Sequence, residues 1–260
     1  MATKRLNWSY GDDYFSKKSS RFEKVYQGHS RKIQSQIDDT ATHVGYNSSS
    51  DNNKYYETLR NNLILPVNGS SEIPRLIALT SCTNGEGVTT ISTNLAITFA
   101  HHSDGPVLFV DTNFPRPSAH EIFGVNFSPG LGEILIEECE SSAAIQPSSI
   151  HNLHILTTGK VHADLIPKFD SPLYTELFEK WRRDYRFVIF DTSSMQSDGN
   201  YSVPLASLVD GVILVIEAEH LRWEVAQRVK ERLIQSKGKI LGVVINKREF
   251  HVPRWLYKTL

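Results

Sequence analysis

The chain has 260 residues, enough for one large α/β domain plus a tail, and 40% of them are hydrophobic, enough for a substantial core. A formal net charge of −1 offers no overall attraction to nucleic acid, and Cys82 and Cys139 are too few for a disulfide framework or a thiolate metal site, so both read as reduced thiols. No uninterrupted apolar stretch approaches the ~20 residues that span a bilayer, and the N-terminus lacks the apolar core of a signal peptide, so a cytoplasmic protein is expected.

Residues 1–53 are rich in Ser, Lys, Asp, Asn and Gln and have no lasting period, which predicts a polar, disordered tail whose Tyr10, Tyr14, Tyr26 and Tyr46 are spacer or interaction residues or, alternatively, phosphorylation sites. The domain is expected over residues 54–260. It opens with a helix at Tyr55–Leu63 and continues in alternating strand and helix signals, with strands at 75–81, 107–111, 153–157, 186–191, 211–217 and 240–246. Helices are expected at 88–102, 172–184, 222–236 and 253–259. Leu173, Leu177 and Trp181 in one helix and Val225, Val229 and Leu233 in another recur at helical spacing and read as core. This alternation predicts an α/β fold with a mainly parallel sheet flanked by helices on both faces.

Between the first strand and its helix, Thr80-Ser-Cys-Thr-Asn-Gly-Glu-Gly-Val-Thr-Thr90 has the build of a phosphate-binding loop. Gly85 and Gly87 let backbone N–H groups turn inward around phosphate oxygens, the helix N-terminus adds partial positive charge, and Thr89 places a hydroxyl where Mg²⁺ sits. The loop set is Asn84, Gly85, Glu86, Gly87, Val88, Thr89 and Thr90. In the G-x-x-x-x-G-K-[ST] pattern a lysine reaches the β- and γ-phosphates, but Val88 stands in its place and Cys82 replaces the first glycine. Losing a charge-assisted hydrogen bond worth ~1.5–3 kcal/mol predicts ATP binding weaker by about one to two decades.

Two strands end in aspartate, Val107-Leu-Phe-Val-Asp111 and Phe187-Val-Ile-Phe-Asp191, which puts both carboxylates at the sheet edge where such folds bind ligands. One would hold Mg²⁺ through its water shell and the other would orient the metal or take a proton, so Thr89, Asp111 and Asp191 form the candidate metal set. Each aspartate has an alternative role as a helix cap or turn residue. Asn246 ends another such strand, where its carboxamide would pair with adenine or cap a turn. His101, His102, His151, His154 and His162 lack ligand spacing, and Glu137-Glu-Cys-Glu140 reads as a solvated helix end.

In order, these motifs resemble the cytoplasmic domain of bacterial tyrosine kinases, the CpsD/CapB type within the MinD/ParA-like branch of P-loop NTPases. Leu59-Arg-Asn-Asn-Leu63 resembles the leading helix of that family. Thr80–Thr90 resembles its Walker A loop, Val107–Pro117 with Asp111, Arg116 and Pro117 its second acidic motif, and Val188-Ile-Phe-Asp191-Thr192 its Walker B. His120 and Phe123-Gly124 fit the next segment, Ser197-Asp198 the turn after Walker B, and Asp210-Gly-Val-Ile-Leu-Val and Leu241-Gly-Val-Val-Ile-Asn246 the last two strands. The resemblance implies ATP or ADP with Mg²⁺, Arg116 and Asn246 among the nucleotide contacts, and a role in exopolysaccharide or capsule synthesis and export. It also implies a separate transmembrane chain-length-regulating (co-polymerase) partner, recruitment to the inner face of the membrane, and homo-oligomer formation.

The departures fall in the chemistry. Val88 and Thr83 occupy the two lysine positions of the family loop, Asn113 replaces the second aspartate of Asp-x-Asp, and Ser193-Ser194 replace a pair of prolines. Lys54, Glu57 and Arg60 stand where the family carries Glu-x-x-Arg-x-x-Arg for ring assembly, and the C-terminus has Tyr257 in place of a tyrosine cluster. The leading reading is a kinase-like regulator or scaffold with weakened ATP binding. One rival is an active protein-tyrosine autokinase in which Arg116, Lys247 or a neighbouring subunit supplies the lost charge. The other is a MinD/ParA-type ATPase, whose dimer switch needs both loop lysines.

Overall fold

A computed structural model describes residues 50–65, 72–160, 172–196, 202–218 and 222–247. The expected tail up to residue 49, the turn at Ser197-Asp198, the helix at 253–259 and Tyr257 lie outside the described residues. Helix α1 (Ser50–Ile64) starts before the expected Tyr55, and strands β1 (Leu76–Ser81), β2 (Val107–Thr112), β4 (Leu153–Leu156), β5 (Phe187–Thr192), β6 (Gly211–Glu217) and β7 (Ile240–Asn246) follow the apolar runs. Between them stand α2 (Val88–His102), α3 (Ala119–Phe123), α4 (Leu131–Leu135), α5 (Ser141–Ala144), α6 (Pro172–Asp184), α7 (Ser202–Ala206) and α8 (Trp223–Gln235). The short strand β3 (Gln146–Pro147) and helices α3, α4, α5 and α7 carry no period long enough to read from sequence.

Seven strands form one sheet in the order β3-β4-β2-β5-β1-β6-β7, parallel throughout except for the edge pair β3/β4. The continuous apolar runs follow from this placement, since β1, β2 and β5 are buried along their whole length and both faces of each need apolar side chains. Alternation then sorts the residues. Ile77, Leu79, Phe187 and Ile189 meet α1, α2 and α3 on one face, whereas Leu76, Ala78, Val188 and Phe190 meet α4 to α8 on the other.

The second face is closed largely by α6, whose buried side chains are Tyr174, Leu177, Phe178 and Trp181, a stripe turned slightly from the expected Leu173, Leu177 and Trp181. Phe178 stacks on Phe190 with ring centroids 5.1 Å apart, and Trp181 donates its indole N–H to Ser141 Oγ at 3.0 Å. On the first face, Leu59 and Leu63 seat α1 on α2. Arg60 of α1 donates to the His102 carbonyl at 2.9 Å and lies 5.8 Å from the Phe99 ring centroid. This guanidinium is engaged within its own chain.

Because the strands are parallel, the β1 loop, Asp111, Asp191 and Asn246 all fall at one edge of the sheet. Among the described residues no helix is long and apolar enough to cross a membrane.

Candidate nucleotide site

The loop after β1 turns on two glycines in the left-handed region, Gly85 at φ 85° and Gly87 at φ 93°, the second capping α2. A side chain at Gly87 would also collide with the Asn246 carboxamide. Both glycines thus hold left-handed conformations that other residues rarely adopt, of the kind that phosphate-binding loops use.

The interior of the loop is organised by its own side chains. Glu86, 2% exposed, folds back so that Oε2 accepts the N–H groups of Cys82 at 2.7 Å and Thr83 at 3.0 Å. Burial, with the Glu86 charge beside it, pushes the Cys82 thiol up to about 12, so it stays protonated as expected. Val88 is buried and belongs to the apolar cluster that also holds Ile91, Leu95 and Ile213. It contributes packing where a lysine would contribute charge.

Two other segments hold the loop from outside. Thr80 donates to the Ser193 carbonyl at 2.8 Å, the Met195 N–H to the Ser81 carbonyl at 2.8 Å, and Ser194 Oγ to Asn84 Oδ1 at 2.8 Å. Of the two serines in place of prolines, Ser194 makes through its hydroxyl a hydrogen bond that proline could not make, whereas Ser193 acts through its carbonyl. From the end of β7, Asn246 Nδ2 donates to the Glu86 carbonyl at 2.9 Å, and Lys247 Nζ donates to the Gly85 carbonyl at 2.6 Å while pairing with Glu217 at 3.1 Å.

Asp111 and Asp191 stand side by side in the β2/β5 register. Asp111 accepts three backbone N–H groups, from Asn113 at 3.0 Å on Oδ1 and from Ser118 at 2.9 Å and Ala119 at 3.0 Å on Oδ2, which ties the Asn113–Ser118 loop and the start of α3 to the strand end. Asp191 accepts the Thr89 hydroxyl at 2.7 Å on Oδ2, while its buried Oδ1 has no hydrogen-bond partner. Burial pushes both carboxyls up, and the neighbouring Asp111 charge pushes Asp191 further. The three donors on Asp111 favour its ionised form, so Asp191 is the member that keeps a proton.

Arg116 is exposed on the Asn113–Ser118 loop, and Thr90 faces the start of α2. The predicted Asn84, Gly85, Glu86, Gly87, Val88, Thr89, Asp111, Asp191 and Asn246 are brought to one edge, although the Val88 side chain is buried in the apolar cluster and that of Glu86 closes on the loop itself. The Thr89 hydroxyl and the unpartnered Asp191 oxygen fit the outer shell of a hydrated Mg²⁺, and the glycine turn fits a phosphate. Lysine chemistry at position 88 does not fit. Missing from the sequence reading were the Glu86, Ser194 and Lys247 contacts. Of these, Glu86 had a local signal, since a carboxylate between two glycines and four residues after Cys82 can reach back to free amides. Among the described residues no group of His, Cys, Asp and Glu forms a metal cluster, and His154 instead bonds the Tyr185 hydroxyl at 3.0 Å.

No family model matches the chain. It is 29% identical over 195 residues to the tyrosine-protein kinase YwqD of Bacillus subtilis, covering 75% of this chain and 81% of that protein. The chain is a relative of the bacterial tyrosine kinases. A putative tyrosine-protein kinase of this group, CapB of Staphylococcus aureus, is 28% identical over 192 residues, 74% of this chain and 82% of that protein. The chimerical protein CapA2B2 shares the fold with a TM-score of 0.70 and 22% identity, covering 85% of this chain and 99% of that one. The Mg-ADP complex of the septum site-determining protein MinD from Pyrococcus horikoshii shares it at 0.57 and 23%, covering 71% and 76%. The fold is therefore common to this chain, the chimerical protein CapA2B2 and a protein solved in complex with Mg-ADP.

Proposed function

We propose that this protein is a tyrosine-kinase-like regulator or scaffold in exopolysaccharide or capsule synthesis and export, one that takes a nucleotide weakly and has lost phosphoryl transfer. The observation that carries this reading is the position of Val88. In a kinase loop the lysine stabilises charge that develops on the transferred phosphoryl group, and a single such donor is worth ~2.7–4 kcal/mol in a preorganised site. Here a buried valine holds that position in the apolar cluster and brings no ammonium to the loop.

The remaining parts favour binding over catalysis. Thr89, the glycine turn and Asp191 keep the form of a Mg·ADP or Mg·ATP cradle, whereas Asp111 is consumed by backbone donors. Partner binding then carries the function. A transmembrane chain-length-regulating protein supplied as a separate chain would bring this domain to the inner face of the membrane, as a peripheral protein.

The test is to incubate the full chain with Mg·ATP, with and without such a partner, and to measure phosphotyrosine by mass spectrometry. The expected result is copurification with the partner and no phosphotyrosine above background. Phosphotyrosine formed at a steady rate by the wild-type chain, and abolished by Asp191→Asn, would overturn the reading in favour of an active autokinase.

A further inference from the structure

We infer that Lys247 is a phosphate-binding cation of this site, supplying from the end of β7 a contact to the phosphates of a bound nucleotide, though not the transition-state role of the missing lysine. The inference deepens the proposed function and rests on its claim that the loop still holds a nucleotide. Lys247 Nζ is bonded directly to the loop, 2.6 Å from the Gly85 carbonyl, and Gly85 belongs to the same glycine turn whose amides form the cradle. The backbone of Lys247 is itself left-handed, at φ 54°, an unfavourable setting for a lysine that aims its side chain back across the sheet edge.

The chemistry of its present partners explains how the ammonium would change hands. It now meets one neutral carbonyl and one carboxylate, Glu217, and its side chain is 35% exposed. A diphosphate in the adjacent cradle presents more negative charge than Glu217, and the four-carbon stem of lysine lets the ammonium swing from the carbonyl to a phosphate oxygen without moving the backbone. Asn246, the preceding residue, already contacts the loop at the Glu86 carbonyl, so one dipeptide supplies both a carboxamide and an ammonium to the same turn. Glu217 acts as a competitor for the lysine, and this gives the inference a signature that a purely structural clasp lacks.

The experiment is calorimetry of Mg·ADP and of adenosine on the full-length wild type, Lys247→Met, Lys247→Arg and Glu217→Gln, with melting curves to confirm folding. Lys247→Met is expected to weaken ADP about tenfold or more and leave adenosine unchanged, since the lost contact is a charge-assisted one to phosphate. Lys247→Arg is expected to recover most of that loss. Glu217→Gln is expected to tighten ADP severalfold by freeing the ammonium. ADP affinity unchanged in Lys247→Met, or weakened in Glu217→Gln, would reduce Lys247 to a clasp and overturn the inference. Absence of ADP binding by the wild type at millimolar concentration also overturns it, yet leaves the loss of phosphoryl transfer standing. Phosphotyrosine production by the wild type overturns the latter whatever the ADP result.

Discussion

The Thr89 hydroxyl donates to Asp191 Oδ2 at 2.7 Å, while the other oxygen of the same carboxylate is buried without a partner beside Asp111. A carboxylate so placed is held protonated, because burial and the neighbouring charge both raise its pKa. The unfolded chain releases this proton near 3.8 and the folded chain only at higher pH, so the cost of keeping Asp191 buried is absent at acid pH and grows as pH rises through that window. Asp191→Asn is therefore expected to stabilise the protein at pH 8 relative to pH 4 by more than about 1.4 kcal/mol, one unit of pKa shift. Urea unfolding of both proteins at the two pH values checks this, and a difference that does not change with pH would refute it.

Val88→Lys places a lysine at a buried position of the apolar cluster that also holds Ile91, Leu95 and Ile213. Without ligand the stem must turn toward the loop, and loss of the packed valine is expected to lower stability by about 1–3 kcal/mol. Mg·ADP should offset this, since the restored charge-assisted bond is worth ~1.5–3 kcal/mol and tightens binding by about one to two decades. Melting curves with and without nucleotide measure both effects. A variant no more responsive to ADP than the wild type would show that the loop is closed to phosphate for another reason.

The strands and the site edge were legible in the sequence because the buried strands are continuous apolar runs and three of them end in Asp111, Asp191 or Asn246, whereas their order in the sheet, set by long-range pairing, was not. Val88 was legible as an absence. Its destination in the core was not, since a valine after glycine fits a cradle or a packed helix start equally well. Glu86, Ser194 and Lys247 act through partners four, 110 and 162 residues away, and only the first separation is local enough to read. The α1 helix illustrates the same limit. Nothing local marked the partner of Arg60, and only the fold shows its guanidinium bonded to His102, 42 residues on.

Far from the loop, Asp210 anchors the opposite end of β1 by accepting the Arg75 N–H at 2.7 Å, the Leu76 N–H at 2.9 Å and the Arg182 guanidinium at 2.8 Å. Burial alone would raise its pKa, but these bonds outweigh burial and hold it below the usual carboxylate range. A depressed pKa contributes stability that is present above the unfolded value of 3.8 and lost as pH falls through the native one. Asp210→Asn is expected to cost about 1–3 kcal/mol at pH 7 and progressively less below pH ~4. Denaturant titrations across that range check it, and a cost that persists unchanged at pH 2 would mean that geometry, not charge, does the anchoring.

Glu86→Ala removes the acceptor from two amides that the loop has turned inward, those of Cys82 and Thr83. An unmade buried hydrogen bond costs about 1–3 kcal/mol, and here the vacated space is also the one nearest the phosphate cradle, so a small anion gains two free donors. The variant is expected to be less stable than the wild type in buffer and to recover part of the difference in 50–100 mM phosphate, a range set by the order of concentration at which weak anion sites fill, ~10–100 mM for a few kcal/mol. Hydrogen exchange at Cys82 and Thr83 follows the same amides directly. They should exchange faster in Glu86→Ala and slow again with phosphate, whereas fast exchange that phosphate leaves untouched would mean that these two amides face solvent instead of a ligand position once the glutamate is gone.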